Sequence, residues 1–263
     1  MPTTSSGSGS VALAALTLSL LFCGCKQAPS SAAHLSNPAG HAFSAAPAAR
    51  SLFPRSAPSQ PAPSQPAPSQ PGAADTRPAL VCFGDSLTAG YGVDPAASYP
   101  ADLQRLLNAQ GYRYHVLNAG ISGNTTKDGL DRVHLILALH PRIVVVEFGG
   151  NDGLRGLPIQ QTEANLAAII QQLQQGGAHV VLAGITLPPD YGPDYIRSFN
   201  AMYPALARRF RLPLLPFLLR NVYGVPGDMQ NDGIHPTAQG DRQVALNVET
   251  LLRPLLKKQQ KHS

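Results

Sequence analysis

Cysteine is scarce and unevenly placed: of three in 263 residues, Cys23 and Cys25 lie near the start, and Cys82 stands alone in all that follows. A single thiol makes no intramolecular disulfide, and Cys82 sits in an apolar strand-like run where packing is its expected role. Long apolar stretches are missing as well. Residues 12–22 form an apolar run too short to span a bilayer, the length of a signal-peptide hydrophobic region. Lys and Arg are absent from residues 1–10, so the positive end of such a segment is reduced to the terminal amine. No Gly-x-Gly-x-x-Gly or phosphate-loop Lys-Ser pattern follows a strand, which counts against nucleotide binding.

Strong charge is also lacking. The formal +5 divides into +3 over residues 1–79 and +2 over the rest, too mild a balance to indicate a nucleic-acid partner. The basic cluster Lys257, Lys258 and Lys261 falls at the C-terminal end, as a solvated helix terminus and tail would.

The beginning of the chain reads as an export device. Phe-Cys-Gly-Cys at 22–25 resembles a bacterial lipobox, in which a small residue precedes an acylated cysteine, and this singles out Cys25 as the lipidation candidate. Two readings of residues 1–25 stand: a lipoprotein signal, or an ordinary cleaved one. Either places the protein in the periplasm or anchored on the periplasmic side of a membrane. Residues 26–78 are rich in Pro, Ala, Ser and Gln, with Ala-Pro-Ser-Gln-Pro three times in succession at 57–71. Too few large apolar side chains are present to offset the entropy of ordering, so this segment is expected to be a disordered linker. It is either a spacer behind Cys25 or a low-complexity tail without positional role.

From residue 79 the texture changes. Apolar runs at 80–83, 114–117, 143–148, 180–183 and 212–216 are too continuous for one-sided strands. Helical patterns separate them near 98–110, 125–140, 159–175, 194–210 and 237–256. This alternation predicts right-handed crossovers and helices on both faces of a parallel sheet of about five strands, an α/β domain over 79–258 followed by a tail at 259–263. Ligands of such sheets bind beyond the carboxyl ends of the strands.

Polar residues collect at those ends. Gly-Asp-Ser-Leu-Thr-Ala-Gly-Tyr at 84–91 puts Ser86 on the turn leaving the first strand. Taken alone, that tripeptide is equally an ordinary turn. Asn-Ala-Gly-Ile-Ser-Gly-Asn-Thr at 118–125 and Gly-Gly-Asn-Asp at 149–152 enter the next helices, offering the Gly123 N–H and the Asn151 amide to an oxyanion. Asp-Gly-Ile-His-Pro at 232–236 supplies an imidazole with a carboxylate three residues away. A serine hydroxyl needs such a base, and the base needs a carboxylate to fix its tautomer.

Together the four segments resemble the SGNH, or GDSL-type, hydrolases, whose Ser, Gly, Asn and His blocks fall here on Ser86, Gly123, Asn151 and His235. The resemblance runs from about residue 80 to 256 and is closest to the bacterial branch of acyl-thioesterase I, lysophospholipase L1 and arylesterase enzymes. Phe-Gly-Gly-Asn-Asp-Gly-Leu-Arg-Gly at 148–156, Leu-Pro-Pro-Asp-Tyr-Gly-Pro-Asp-Tyr at 187–195 and Met-Gln-Asn-Asp-Gly-Ile-His-Pro at 229–236 look like that branch. Asn124 and Asp94-Pro95 stand where other members vary.

The resemblance implies a three-layer α/β/α flavodoxin-like fold, no cofactor and no metal. It implies a serine esterase acting on acyl or aryl esters, with thioesters and lysophospholipids among related substrates. Ser86, Asp232 and His235 are then the expected triad, and Ser86, Gly123 and Asn151 the expected oxyanion donors. Leu154, Leu157, Ile185, Leu187, Pro188 and Tyr191 are expected to bind the acyl or aryl group. A carbohydrate O-acetylesterase is the alternative among enzymes, and a non-catalytic ligand-binding domain the alternative of another class.

Overall fold

The computed structural model describes residues 75–256. The signal segment with Cys25, the linker up to residue 74 and the lysine-bearing tail lie outside the described residues.

Five parallel strands are hydrogen-bonded in the order β2-β1-β3-β4-β5: β1 at Ala79–Gly84, β2 at His115–Gly120, β3 at Ile143–Glu147, β4 at His179–Ala183 and β5 at Leu214–Leu215. The two central strands carry the continuous apolar runs because both of their faces are covered. Leu80 to Phe83 and Ile143 to Val146 have no solvent exposure, and each such side chain contributes about 1.5–3 kcal/mol by leaving water. Cys82 lies among them, its thiol pushed up to about 12 by burial. Edge strand β5 is only two residues long, flanked by Pro213 and Pro216, which lack the N–H that a longer ladder requires.

Among the described residues, seven α-helices connect and cover the sheet: α1 (Ser86–Ala89), α2 (Tyr99–Ala109), α3 (Thr126–Leu137), α4 (Gly150–Leu154), α5 (Ile159–Gln175), α6 (Pro193–Phe210) and α7 (Ala238–Leu252). Helix α2 packs on α7, while α3 packs on α5 and α5 on α6. Local chemistry sets where several of them start. Thr125 and Asp128 close a capping box on α3, and the Thr237 hydroxyl accepts the Gly240 N–H to cap α7.

The chain runs from β1 to β2 on one side, then crosses back to β3 on the other side of β1. Connections leaving β1 and β3 therefore diverge in opposite directions, opening a crevice at their carboxyl ends. Strand β2 runs three residues further than the apolar pattern indicates, pairing Asn118, Ala119 and Gly120 with Cys82, Phe83 and Gly84. The extension is possible because Gly120 has no side chain: a Cβ there would lie 2.2 Å from the Ala89 nitrogen. Helix α1 thus packs backbone to backbone against β2. Arg132, from α3, ties the strand ends together by donating to the carbonyls of Gly84 and Ala119 at 2.9 Å each.

Candidate active site

Ser86 is the first residue of α1, immediately beyond β1. The turn that presents it is held from both sides. Asp85 caps α1, its Oδ1 accepting the Leu87 N–H at 3.1 Å. Gly84 lets the turn lie flat against β3, since a Cβ there would come within 2.1 Å of Thr88 Oγ1 and 2.7 Å of the Glu147 carbonyl oxygen.

His235 arrives from a loop whose ends are closed by an antiparallel bridge between Met229 and Pro236. Gln230 clips this loop to the segment after α1: its amide donates to the Tyr91 and Pro236 carbonyls, each at 2.7 Å. Within the loop, Asp232 Oδ1 accepts the N–H groups of Ile234 and His235 at 2.9 and 3.0 Å. Its Oδ2 lies 2.8 Å from His235 Nδ1. Partial burial works to raise the Asp232 carboxyl, but the bonds from the His235 ring and from these N–H groups outweigh it and bring the group down to about 2. An ionised carboxylate only accepts, so Nδ1 carries the proton and Nε2 is left bare. That bare Nε2 is 2.9 Å from Ser86 Oγ. The Tyr91 ring lies 4.6 Å from the imidazole, centroid to centroid.

Gly123 and Asn151 line the same cavity as Ser86. Gly123 adopts a left-handed φ of 82°, and its carbonyl accepts from the Arg155 guanidinium at 2.9 Å. Asn151, in α4, donates from its amide nitrogen to Asp85 Oδ2 at 3.2 Å and to the Asn124 carbonyl at 3.0 Å. Both amide hydrogens are therefore engaged in the resting site, and one has to be shared for Asn151 to serve an oxyanion. Asp85 is buried, and that burial pushes its carboxyl up to about 6 against the opposing pull of its bond to Leu87.

The cavity has a volume of about 710 Å³. Leu154, Ile185, Leu187 and Pro188 lie in its wall. Leu157 and Tyr191 do not: Leu157 is 38% exposed, its carbonyl accepting from Tyr195 Oη. Tyr191 donates its hydroxyl to the Leu154 carbonyl at 2.8 Å and props the wall from outside. The cavity is also lined by Phe217, Leu219, Tyr223, Ile234 and Tyr91, none of which the sequence reading had assigned to substrate binding. Ile234 and Tyr91 lie inside recognised motifs, whereas Phe217, Leu219 and Tyr223 fall in a stretch, interrupted by Arg220 and Asn221, that carried no site signal. Among the described residues no group of three or more His, Cys, Asp or Glu side chains could hold a metal ion, and no helix is long and apolar enough to cross a membrane.

Comparison with known proteins gives a consistent result. The profile of the GDSL-like lipase/acylhydrolase family matches residues 82–243. Esterase TesA of Pseudomonas aeruginosa is 46% identical over 178 residues, covering 67% of this chain and 89% of that protein. Thioesterase 1/protease 1/lysophospholipase L1 of Escherichia coli strain K12 is 45% identical over 186 residues, covering 70% of this chain and 86% of that protein. The crystal structure of TesA superposes with a TM-score of 0.66, covering 68% of this chain and 99% of that one.

Proposed function

Because this chain belongs to the GDSL-like lipase/acylhydrolase family, we propose that Ser86 is its nucleophile, His235 the general base, and Asp232 the carboxylate that orients the imidazole. The protein is a carboxylic ester hydrolase of the SGNH type. One observation carries the assignment of roles: Nε2 of His235 lies 2.9 Å from Ser86 Oγ while Nδ1 lies 2.8 Å from Asp232. Ser86 Oγ attacks the acyl carbonyl as its proton passes to Nε2. The tetrahedral oxyanion is received by the Ser86 and Gly123 N–H groups and by the Asn151 amide. Its collapse expels the alcohol, which takes the proton from His235. A water deprotonated by the same imidazole then hydrolyses the acyl-Ser86 ester and restores the hydroxyl.

The apolar walls of the cavity support acyl or aryl esters as substrates. Thioester and lysophospholipid hydrolysis, the activities for which the Escherichia coli relative is named, are extensions of the same chemistry to this chain. Export supports esters and lysolipids over cytosolic acyl-CoA. The apolar run at 12–22, Cys25 and the linker support a periplasmic enzyme, free or anchored through Cys25.

Incubation with a fluorophosphonate tests the triad. The folded protein is expected to label once, on Ser86. Ser86→Ala abolishes labelling and His235→Ala slows it severely, while folded wild-type protein that stays unlabelled refutes the assignment. Turnover of acetyl and long-chain p-nitrophenyl esters, lysophospholipids and acetylated sugars then ranks the substrates. Cys25→Ser is expected to release the protein from membranes, and unchanged retention removes the anchor.

A further inference from the structure

Glu147, the last residue of β3, points into the protein behind the nucleophile turn and has no solvent exposure. Its Oε2 accepts the Thr88 hydroxyl at 2.9 Å and the Asp85 N–H at 3.4 Å. Its Oε1 is buried and accepts no hydrogen bond from any described group. No reading of the sequence placed this residue in the site. An ionised carboxylate with one buried oxygen unpartnered is costly. Two carboxyl groups in one buried site relieve that cost by keeping a proton between them.

The neighbours of Glu147 favour one direction for this proton. When Thr88 gives its only hydrogen to Glu147 Oε2, the tyrosine donates in the contact between Thr88 Oγ1 and Tyr99 Oη, at 3.2 Å. Oε2 already accepts from Thr88 and from the Asp85 N–H, and the hydrogen bond between the two carboxyl groups lowers Asp85 and raises Glu147, which makes Asp85 the acceptor for a proton on Glu147. Burial first, and then the Asp85 charge, drive the Glu147 carboxyl well above the ordinary range. Asp85 in turn meets the Asn151 amide through Oδ2 and the Leu87 N–H through Oδ1. Tyr99, Thr88 and Glu147 therefore donate one to the next toward Asp85, whose carboxylate also accepts from the Asn151 amide.

We infer that Glu147 is a positioning residue: its carboxyl proton is shared with Asp85 and steadies the carboxylate that orients the Asn151 amide toward the oxyanion. The inference rests on the reading of Asn151 as an oxyanion donor. It assigns a purpose to the Gly-Asp-Ser turn besides presenting the nucleophile, because the Asp of that motif becomes the link between a buried acid and the donor. Glu147→Gln keeps both functions in the right places, since an amide N–H replaces the O–H toward Asp85 and the amide oxygen still accepts from Thr88. Glu147→Leu removes both while keeping similar volume.

The test is a double-mutant cycle on kcat and KM with p-nitrophenyl butyrate, using Glu147→Gln, Glu147→Leu, Asn151→Ala and the Leu/Ala double variant. Glu147→Gln is expected to stay within about threefold of wild type. Glu147→Leu is expected to lower kcat about tenfold or more with KM within about twofold, and to cost under about twofold when added to Asn151→Ala. Additive losses, or a Gln variant as damaged as the Leu variant, overturn the inference. If Glu147→Leu does not fold, Thr88→Val cuts the same chain more gently and carries the same expectation of a kcat loss that vanishes in the Asn151→Ala background. An Asn151→Ala variant with unchanged kcat sinks the oxyanion reading itself. An Asn151→Ala loss with an independent Glu147 effect sinks only this inference.

Discussion

The most searching perturbation of the proposed triad is Asp232→Asn, because it changes a proton position and almost nothing else. The amide oxygen takes the place of Oδ1 and keeps both bonds from the Ile234 and His235 N–H groups, so the loop retains its shape. The amide nitrogen takes the place of Oδ2, 2.8 Å from Nδ1. It can only donate there, which forces the imidazole proton onto Nε2, the atom facing Ser86 Oγ. That tautomer has no lone pair for the serine proton, and a forced tautomer of this kind costs about 10⁴ in kcat, or about 5.5 kcal/mol of barrier. Stability should hardly move: the Asp232 side chain is 39% exposed, and an exposed pair contributes less than about 1 kcal/mol, under about 4 °C in Tm for a domain of this size. Asp232→Ala should show the opposite ordering. It frees the tautomer, so its activity should equal or exceed that of the Asn variant, but it leaves two N–H groups without their acceptor and should melt lower. Steady-state hydrolysis of p-nitrophenyl butyrate, the second-order rate of fluorophosphonate labelling and thermal melting measure all three quantities. An Asn variant within tenfold of wild-type kcat at an unchanged Tm would refute the argument. The carboxyl, held at about 2, remains ionised above about pH 4 and should add no inflection to the activity profile there.

Further outcomes follow from the same geometry. Asn151→Ala should lower kcat by about 10²–10³ with little change in KM, since an oxyanion donor acts mainly in the transition state; a comparable rise in KM would point to ground-state binding. Gly120→Ala puts a Cβ 2.2 Å from the Ala89 nitrogen, so α1 must shift and carry Ser86 with it; kcat and Tm should both fall, and an unaffected variant would contradict the close approach. Asp241, in the first turn of α7, is raised to about 7 by burial and then by the charge of Asp102. Folded protein therefore binds this proton more tightly than unfolded chain: the stabilisation is fully present below about pH 4 and is lost as pH rises through about 7, an effect of up to about 4 kcal/mol. Asp241→Asn should accordingly melt higher than wild type at pH 8 and close to it at pH 4, and an equal offset at both pH values would rule out the linkage.

Much of the architecture was legible because its causes are local. Unbroken apolar runs at 80–83 and 143–146 announce strands covered on both faces, and the helical patterns near 125–140 and 237–256 match α3 and α7, whose starts the structure shows capped by Thr125 with Asp128 and by Thr237. Asp232 and His235 are three residues apart, so their pairing is a property of a single turn. The cavity wall was less legible. Leu157 and Tyr191 sit in the right stretch of sequence, but a residue's side of a loop is decided by what packs behind it, here Tyr195 and the Leu154 carbonyl. Phe217, Leu219 and Tyr223 alternate with polar Arg220 and Asn221 and resemble any partly buried loop, becoming a binding surface only where the structure turns them toward the cavity.

Amino-acid order alone thus determined the alternation of strands and helices, the turns that carry Ser86, Gly123, Asn151 and His235, and the carboxylate beside the imidazole, since each depends on residues within a few positions. Tertiary structure decided what depends on distance along the chain: the placing of β1 between β2 and β3, the 2.9 Å approach of side chains 149 residues apart, and the burial of Glu147 against Asp85. Hydrogen-bond reach and desolvation are set by whatever the folded chain brings alongside, and no short window of sequence contains those neighbours.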